Sequence, residues 1–309
     1  MVRCLGIDTS NYTTSAAVFA GEVLENRRML LPVKPGEKGL RQSDAVFHHV
    51  RQLPQVLAPI LERGEAMDAV GVSASPRGAE GSYMPCFLVG KGFAQALAGA
   101  WGVPIEYFSH QQGHIAAALY SAGKLDLLRK PFLAFHVSGG TTEALLVAPD
   151  RDGMPKAVLA AQSLDLKAGQ AVDRVGVMLG LPFPCGPELE KLALRWTDKV
   201  SVRPAMKGAD CSLSGIENKC AAMVREGREP AETARFCIQS IGAALDKMCE
   251  ALLGEHGPLP VLFAGGVCSN SILRDRLSKK YGAWFAAPEF SSDNGAGAAI
   301  LAYKKRADL

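Results

Sequence analysis

Short apolar runs closed by small polar turns recur along the chain, and several hand over to helical spacing of apolar residues. The stretches from Cys4 to Val18 and from Leu133 to Val147 share one plan. Each reads as a strand, a turn rich in Ser, Thr or Gly, and a second strand. Val103 to Phe108 is a further strand-like run, and a helix-like pattern opens at His110. Pro131 to Val137 is too apolar for anything but a buried strand. Val261 to Ala264 is another buried run; it reaches Gly265 and Gly266 and then a helix expected from Asn270 to Lys280. Strands alternating with helices in two similar halves predict a duplicated α/β fold that closes on a nucleotide from both sides. No low-complexity linker interrupts the chain. The boundary is expected between Leu125 and Lys130, with domains over 1–127 and 128–309.

Candidate chemistry gathers where these elements meet. His110 and His114 stand four apart at a helix start just after a strand, so both imidazoles face one way and can reach one ion. A surface or core histidine pair is the alternative. His136 ends the buried run before Ser138-Gly139-Gly140, where a satisfied core histidine competes with a ligand. Asp293 lies in a small-residue loop and could serve as a fourth donor or simply cap the following helix. Three neutral imidazoles and a carboxylate would suit zinc or ferrous iron. The Gly- and Ser-rich turns offer backbone N–H groups without bulk, as polyphosphates require. A tight hairpin is the plainer explanation of any one of them. Two polar stretches, Asp165 to Arg174 and Pro184 to Glu190, resist a packing explanation, with Asp173 expected before an apolar helix and Glu190 on one. Asp210 to Gly215 reads as a small-residue loop preceding a helix.

Length and charge narrow the field. A chain of 309 residues exceeds one ordinary core and predicts two domains. Eight cysteines are scattered with no Cys-x-x-Cys, which fits free structural thiols in a reducing compartment. No signal peptide or membrane span is read, so a cytoplasmic protein without membrane contact is expected. A net charge of +3 does not announce nucleic-acid binding; the basic cluster Arg27, Arg28, Lys34, Lys38 and Arg41 reads as a solvated loop.

In order along the chain come Leu5-Gly-Ile-Asp8-Thr-Ser10, His49-Val-Arg51, His110-Gln-Gln-Gly-His114, Val137-Ser-Gly-Gly140, Ala168-Gly-Gln-Ala-Val-Asp173, Pro184-Cys-Gly-Pro187, Ser212-Leu-Ser-Gly215, Ala264-Gly-Gly-Val-Cys-Ser-Asn270 and Asp293-Asn-Gly-Ala296. The set resembles, from end to end, the TsaD family, whose older names are O-sialoglycoprotein endopeptidase and peptidase M22. The resemblance implies the actin-like ATPase (ASKHA) fold and one divalent metal at His110, His114 and Asp293, with His136 where archaeal-type relatives carry a tyrosine. It also implies a nucleotide, as ATP, AMP or an acyl adenylate, at Ser138, Gly139, Gly140, Asp173, Gly186, Glu190, Gly265 and Asn270. The implied reaction transfers threonylcarbamoyl from its adenylate to N6 of a tRNA adenosine, with a TsaB-like partner or a homodimer. A peptidase is not expected, since His-Glu-x-x-His is missing.

The acceptor side departs from that pattern. Asn11, Tyr12 and Thr13 replace the family's acidic pair and its neighbour, Thr141 and Glu143 stand for a His and a Gln, and Gln170 stands for a Glu. Ser43 and Phe47 occupy the places of a Glu and an Arg ahead of His49, and Ser75 to Ser82 replaces a shorter Gly-Pro-Gly loop. A lost carboxylate base costs roughly 10²- to 10⁴-fold in rate. Three readings stay open at this point: a tRNA-modifying transferase, a paralogue that carbamoylates or acylates a small molecule, and a noncatalytic nucleotide-binding subunit.

Overall fold

The structure is a computed structural model that describes residues 2–10, 12–33, 40–79, 81–290 and 294–307, Leu24 by its backbone alone. It divides into two compact units. The first comprises Met1–Lys130, Ala148–Ala157 and Glu289–Leu309, the second Pro131–Val147 and Val158–Pro288. The C-terminal segment thus clusters with the first unit, whereas the sequence division counts it with 128–309.

The first unit carries β1 (Cys4–Asp8), β2 (Thr13–Phe19), β3 (Val23–Leu30), α1 (Gln42–Leu61), β4 (Ala69–Ser75), α2 (Phe87–Trp101), β5 (Ile105–Ser109) and α3 (His110–Ser121). Its sheet runs β3-β2-β1-β4-β5, antiparallel on the β2 side of β1 and parallel on the β4 side. Every residue of β1 and β2 is buried, as a strand covered on both faces requires. Leu5 and Ile7 point to one face, where Leu53, Leu57 and Ile60 of α1 meet them. Each such side chain removed from water stabilises by about 1.5–3 kcal/mol. His49 sits in the same helix, fully buried. Thr14 Oγ1 donates to Gln52 Oε1 at 2.8 Å, so His49 Nδ1–H is the donor in its own 2.8 Å bond to Thr14 Oγ1. That pair ties α1 to β2.

The opposite face of the sheet meets the last helix, α9 (Ala296–Arg306), whose Ala298 to Ala302 are almost fully buried. Small residues are needed here because the backbones nearly touch. A Cβ on Gly6 would lie 2.2 Å from Gly295 O, and one on Gly297 would lie 1.9 Å from Gly113 O. The resulting wedge sets α3, and with it His110, against the carboxyl ends of β1 and β4.

The second unit repeats the plan with β6 (Phe132–Val137), β7 (Thr142–Pro149), β8 (Pro155–Gln162), β11 (Val261–Ala264) and β12 (Trp284–Phe285) in the order β12-β11-β6-β7-β8. Strand β6 ends 129 residues after β1 ends, and β7 begins 129 residues after β2 begins. The sequence echo is therefore a structural repeat. Around this sheet lie α4 (Ala168–Met178), α5 (Gly186–Leu194), α6 (Ser214–Arg225), α7 (Pro230–His256) and α8 (Ser271–Tyr281). Phe135 and Phe263 stack at 4.6 Å between ring centroids in its core. Asp173 falls inside α4 rather than ahead of a helix. Asp210 to Ser212 is not a loop but a short strand, β10, paired with β9 (Ala205–Lys207). Within the described residues no helix is long and apolar enough to cross a membrane.

The seam between α7 and α8 holds one strongly perturbed acid. Burial pushes the Asp246 carboxyl up, but hydrogen bonds from Lys280, Tyr281 and Arg276 outweigh it and bring it down to about 2. Because the folded value lies below the unfolded one of about 3.9, this contribution to stability is present above pH ~4 and is lost as pH falls toward 2. Urea titrations at pH 5, 4, 3 and 2 should therefore show a smaller decline for Asp246→Asn than for the wild type. Parallel declines would remove Asp246 as a source of acid sensitivity.

Candidate functional site

Two side-chain arrays stand out, one in each unit. In the first, Asp8 ends β1 and is 1 % exposed. A buried carboxylate is tolerable only when its lone pairs are used. Asp8 Oδ1 accepts from the backbone N–H of Ser10 at 2.8 Å and from the Ser10 hydroxyl, and Oδ2 accepts from Ser73 Oγ at 2.5 Å. His110 Nδ1 lies 2.8 Å from the same Oδ2. As the carboxylate only accepts, the imidazole carries its proton on Nδ1, and Nε2 is left as the lone-pair nitrogen. The Ser10 hydroxyl, 3.5 Å from Nε2, already donates to Asp8.

Helix α3 positions both histidines by local chemistry. Ser109 caps it, accepting from the N–H of Gln112 at 3.2 Å, while Gln112 Oε1 accepts from the N–H of Ser109 at 2.8 Å. The start of the helix is thereby fixed, and His114 follows one turn after His110 with ring centroids 4.2 Å apart and planes at 80°. The pair expected from spacing is one cluster in space. His136 belongs to β6 of the second unit, paired with Ala264 and Glu143. Asp293 lies outside the described residues, as do Asn11, Lys34, Lys38 and Glu80. Among the described residues no group of three His, Cys, Asp or Glu is gathered to hold a metal ion.

The second array surrounds a cavity of about 320 Å³ within the second unit. Five of the residues implied for a nucleotide line it: Gly139, Asp173, Gly186, Glu190 and Asn270. Its walls are apolar, with Val172, Ile238, Ile241 and Leu273. Ser138, Gly140 and Gly265 are not among the lining residues. Ser138 closes the β6–β7 turn, its N–H donating to Thr141 O at 2.7 Å and its Oγ accepting from Thr141 N–H at 3.1 Å. Gly265 has φ +102°, and a Cβ there would lie 2.3 Å from Val137 O. Gly140 is exposed at the tip of the turn.

The two carboxylates at the rim are positioned by backbone. Asp173 Oδ1 accepts from the N–H of Cys185 at 2.9 Å, and Glu190 Oε1 accepts from the N–H and hydroxyl of Ser271 at 2.8 and 2.5 Å. Asn270 caps α8 through Ile272 and Leu273. One oxygen of each acid is thus spent on structure. Gly169 permits the turn to lie on α4, since a Cβ would meet Gly139 N at 2.6 Å.

Several residues that matter escaped the sequence. Asp8 orients His110 but was visible only as an acid closing a strand. Asp165 explains the polarity of its stretch, as its carboxylate accepts from Leu166, Leu213 and Ser214 at 2.6, 2.7 and 2.6 Å and joins two loops. The cysteines, all free, are buried as expected. Burial pushes the Cys4 thiol up to about 12 and the Cys211 thiol up to about 11, which removes them as nucleophiles near neutral pH.

Comparison with known proteins places this geometry. The family model for TsaD, tRNA N6-adenosine threonylcarbamoyltransferase, matches residues 33–300. Among solved structures, component A of the (R)-2-hydroxyglutaryl-CoA dehydratase of Acidaminococcus fermentans is 15 % identical. Its TM-score is 0.58, over 99 % of this chain and 99 % of its own. HypF of T. kodakarensis is 13 % identical with a TM-score of 0.62, covering 97 % of this chain and 47 % of its own. A ROK family glucokinase of Streptomyces griseus, solved with glucose and AMPPNP, is 14 % identical. It gives a TM-score of 0.52 over 98 % of this chain and 99 % of its own. At such identities these structures establish the fold, which is of the actin-like ATPase (ASKHA) type.

The Asp8 cluster makes a direct prediction. Asp8→Asn removes acceptor capacity from two serines and an imidazole, and should lower the unfolding free energy by about 1–3 kcal/mol. In ¹⁵N spectra of metal-free protein the His110 proton, held on Nδ1 in the wild type, should redistribute toward Nε2. An unchanged tautomer would show that Asp8 does not orient the ring.

Proposed function

The chain belongs to the TsaD family and is a transferase of that kind; from this premise we propose that it moves a threonylcarbamoyl or carbamoyl group from an adenylate to an acceptor amine. The observation that carries the reading is the cavity of the second unit, where five residues implied for a nucleotide converge. Its apolar walls suit a purine, and Asp173 and Glu190 at the rim each keep an oxygen for ribose hydroxyls. The bare backbone of Gly139 and Gly186 leaves room for the phosphate.

The reaction is acyl transfer. A C–N bond forms to the amine as the carbonyl carbon parts from the phosphate oxygen; AMP leaves, and the proton displaced from the amine passes to solvent or to the departing phosphate. No side-chain nucleophile is needed. The task of the residues is to bind and orient the adenylate and exclude water from it, and orientation alone supplies large effective concentrations. For a divalent metal, zinc or iron, the donor chemistry fits at His110 and His114. A ligating imidazole commonly gives its other N–H to a carboxylate, as His110 does to Asp8. Asp293 and His136 are proposed as further donors on the sequence argument alone. When bound, such an ion would polarise the carbonyl or hold a phosphate oxygen.

The acceptor is tRNA adenosine at the level of the family. A small-molecule amine is the second reading, favoured by the loop after β4, which is long and internally braced. Ser75 Oγ donates to Arg77 O at 3.0 Å, Arg77 N–H donates to Ser82 Oγ at 3.0 Å, and Gln111 N–H donates to Pro76 O at 3.1 Å. Tyr12 and Tyr83, 43 % and 63 % exposed, flank the altered segments in sequence. A TsaB-like subunit or a second copy of this chain is the partner we propose, and Phe47 and Val50 on α1 supply exposed apolar surface for one.

The metal-replete protein incubated with threonylcarbamoyl adenylate and unmodified tRNA should release AMP and yield threonylcarbamoyladenosine on digestion. AMP release with transfer only to added small amines would select the second reading, and an adenylate left intact would overturn both. Glu190→Gln should raise the Kd for AMP about tenfold, the worth of one hydrogen bond to a charged group. Unchanged AMP binding would remove Glu190 from the site. His110→Ala should abolish stoichiometric metal, read by elemental analysis, with the fold intact; undiminished metal would sink the site assignment.

A further inference from the structure

A second cavity of about 420 Å³ lies in the same unit, between the end of α5, the first half of α7 and the first turns of α8. Arg235, Gln239 and Gly242 line it from one stripe of α7, at spacings of four and three residues. Ser271 and Arg276 face them from α8. Gly242 lets the helices close up, since a Cβ there would meet Leu273 Cδ2 at 2.9 Å and Arg276 Cδ at 3.4 Å. Two arginines and one carboxylate, Asp275, line these walls, and Asp275 is already paired with Lys279 at 2.7 Å. Arg276 also reaches Asp246 at 2.7 Å, a carboxylate it shares with Lys280, which itself lies 3.7 Å from Glu250. Among the described residues the Arg235 guanidinium takes part in no hydrogen bond or ion pair. The Nε atoms of Arg235 and Arg276 are both buried without an acceptor.

Guanidinium N–H groups are seldom buried without a partner unless an acceptor visits them, and the guanidinium fork matches the oxygens of a phosphoryl group. The first N–H groups of α8 cannot serve, because Glu190 and Asn270 already accept from Ser271, Ile272 and Leu273. We propose that this cavity is a second ligand site, for a phosphoryl group held by Arg235 and Arg276 with the Gln239 amide as an additional donor. The volume exceeds one orthophosphate and leaves space for a group that carries it. Leu273 lines both cavities, and Ser271 lines this one while holding Glu190 of the other. A ligand here would therefore press on the turn that steadies the candidate nucleotide cavity. The proposal stands on these residues alone and survives even if the neighbouring cavity takes no nucleotide.

Titration of the full chain with inorganic phosphate, followed by ³¹P NMR, tests it. Saturable binding is expected, weakened about tenfold or more in Arg235→Gln, the loss of a hydrogen bond to a charged group. Gln239→Glu, which sets a carboxylate beside Arg235, should abolish binding, and the thermal midpoint of each variant reports whether it is folded. Repetition with saturating AMP separates the sources: displacement means that the phosphoryl group arrives on a nucleotide, and indifference means a free oxyanion. Absence of saturation in the wild type, or equal affinity in the wild type and the two folded variants, would overturn the site.

Discussion

One buried carboxylate organises the first half of this molecule. Asp8 lies where three elements end or begin, and its acceptors draw them together through Ser10 after β1, Ser73 in β4 and His110 opening α3. Isolated in the interior, the charge would be costly; fully hydrogen-bonded, it fixes the mutual geometry of its donors. The imidazole orientation follows from that need. With Nδ1–H committed to Asp8, the lone pair of His110 is carried by Nε2, and the His114 ring packs against this imidazole with centroids 4.2 Å apart. The orientation of the free imidazole nitrogen is thus a by-product of satisfying the buried acid.

The duplicated topology shows how one plan yields two kinds of site. In the first copy Asp8 pairs with Ser15, leaving six residues between the last partners, whereas in the second Val137 pairs with Thr142, leaving four. The difference is two residues. A shift of two preserves which side chains face the core, so the packing pattern survives while the turn changes. The wider turn gives Ser10 room to fold back on the acid that ends its own strand. The tighter one closes on itself through Ser138 and Thr141 and is laid against α4 by Gly169. An imidazole held by a buried acid and a glycine-lined cavity therefore sit beside hairpins whose last strand partners are spaced by six and four residues.

Much of this was legible because it depends on period and spacing. The echo of strands, the His110–His114 pair and the helix expected from Asn270 all follow from local rules that act within one turn or one strand. Less legible were features made by chain segments far apart in sequence. Asp173 sits within α4 and accepts from the backbone N–H of Cys185, a bond that nothing in the flanking residues announces. Asp210 to Ser212 looks like a loop by composition, yet pairing with Ala205 to Lys207 makes it a strand. The C-terminal helix joins the first unit because its alanines fit against Gly6 and Gly71, a complementarity between residues some 230 or more positions apart that no window of sequence contains.

The division between retained and replaced residues has a physical logic. Five of the residues implied for a nucleotide line an apolar cavity beside Gly169 and Gly265, each facing backbone across a gap that a single methyl group would overfill. Change there is penalised by packing before chemistry is considered. Several of the acceptor-side positions that depart from the family, Tyr12, Ser43, Phe47 and the loop after β4, lie in turns, at a helix start or on an exposed helical face, where substitution costs the fold little, whereas Thr13 and Glu143 lie in strands. Burial pushes the Cys4 and Cys211 thiols out of the reactive range near neutral pH, so the proposed mechanism joins donor and acceptor by positioning rather than through a cysteine. On that proposal the donor site and the acceptor side lie in parts of the structure under different constraint, and one can change without the other.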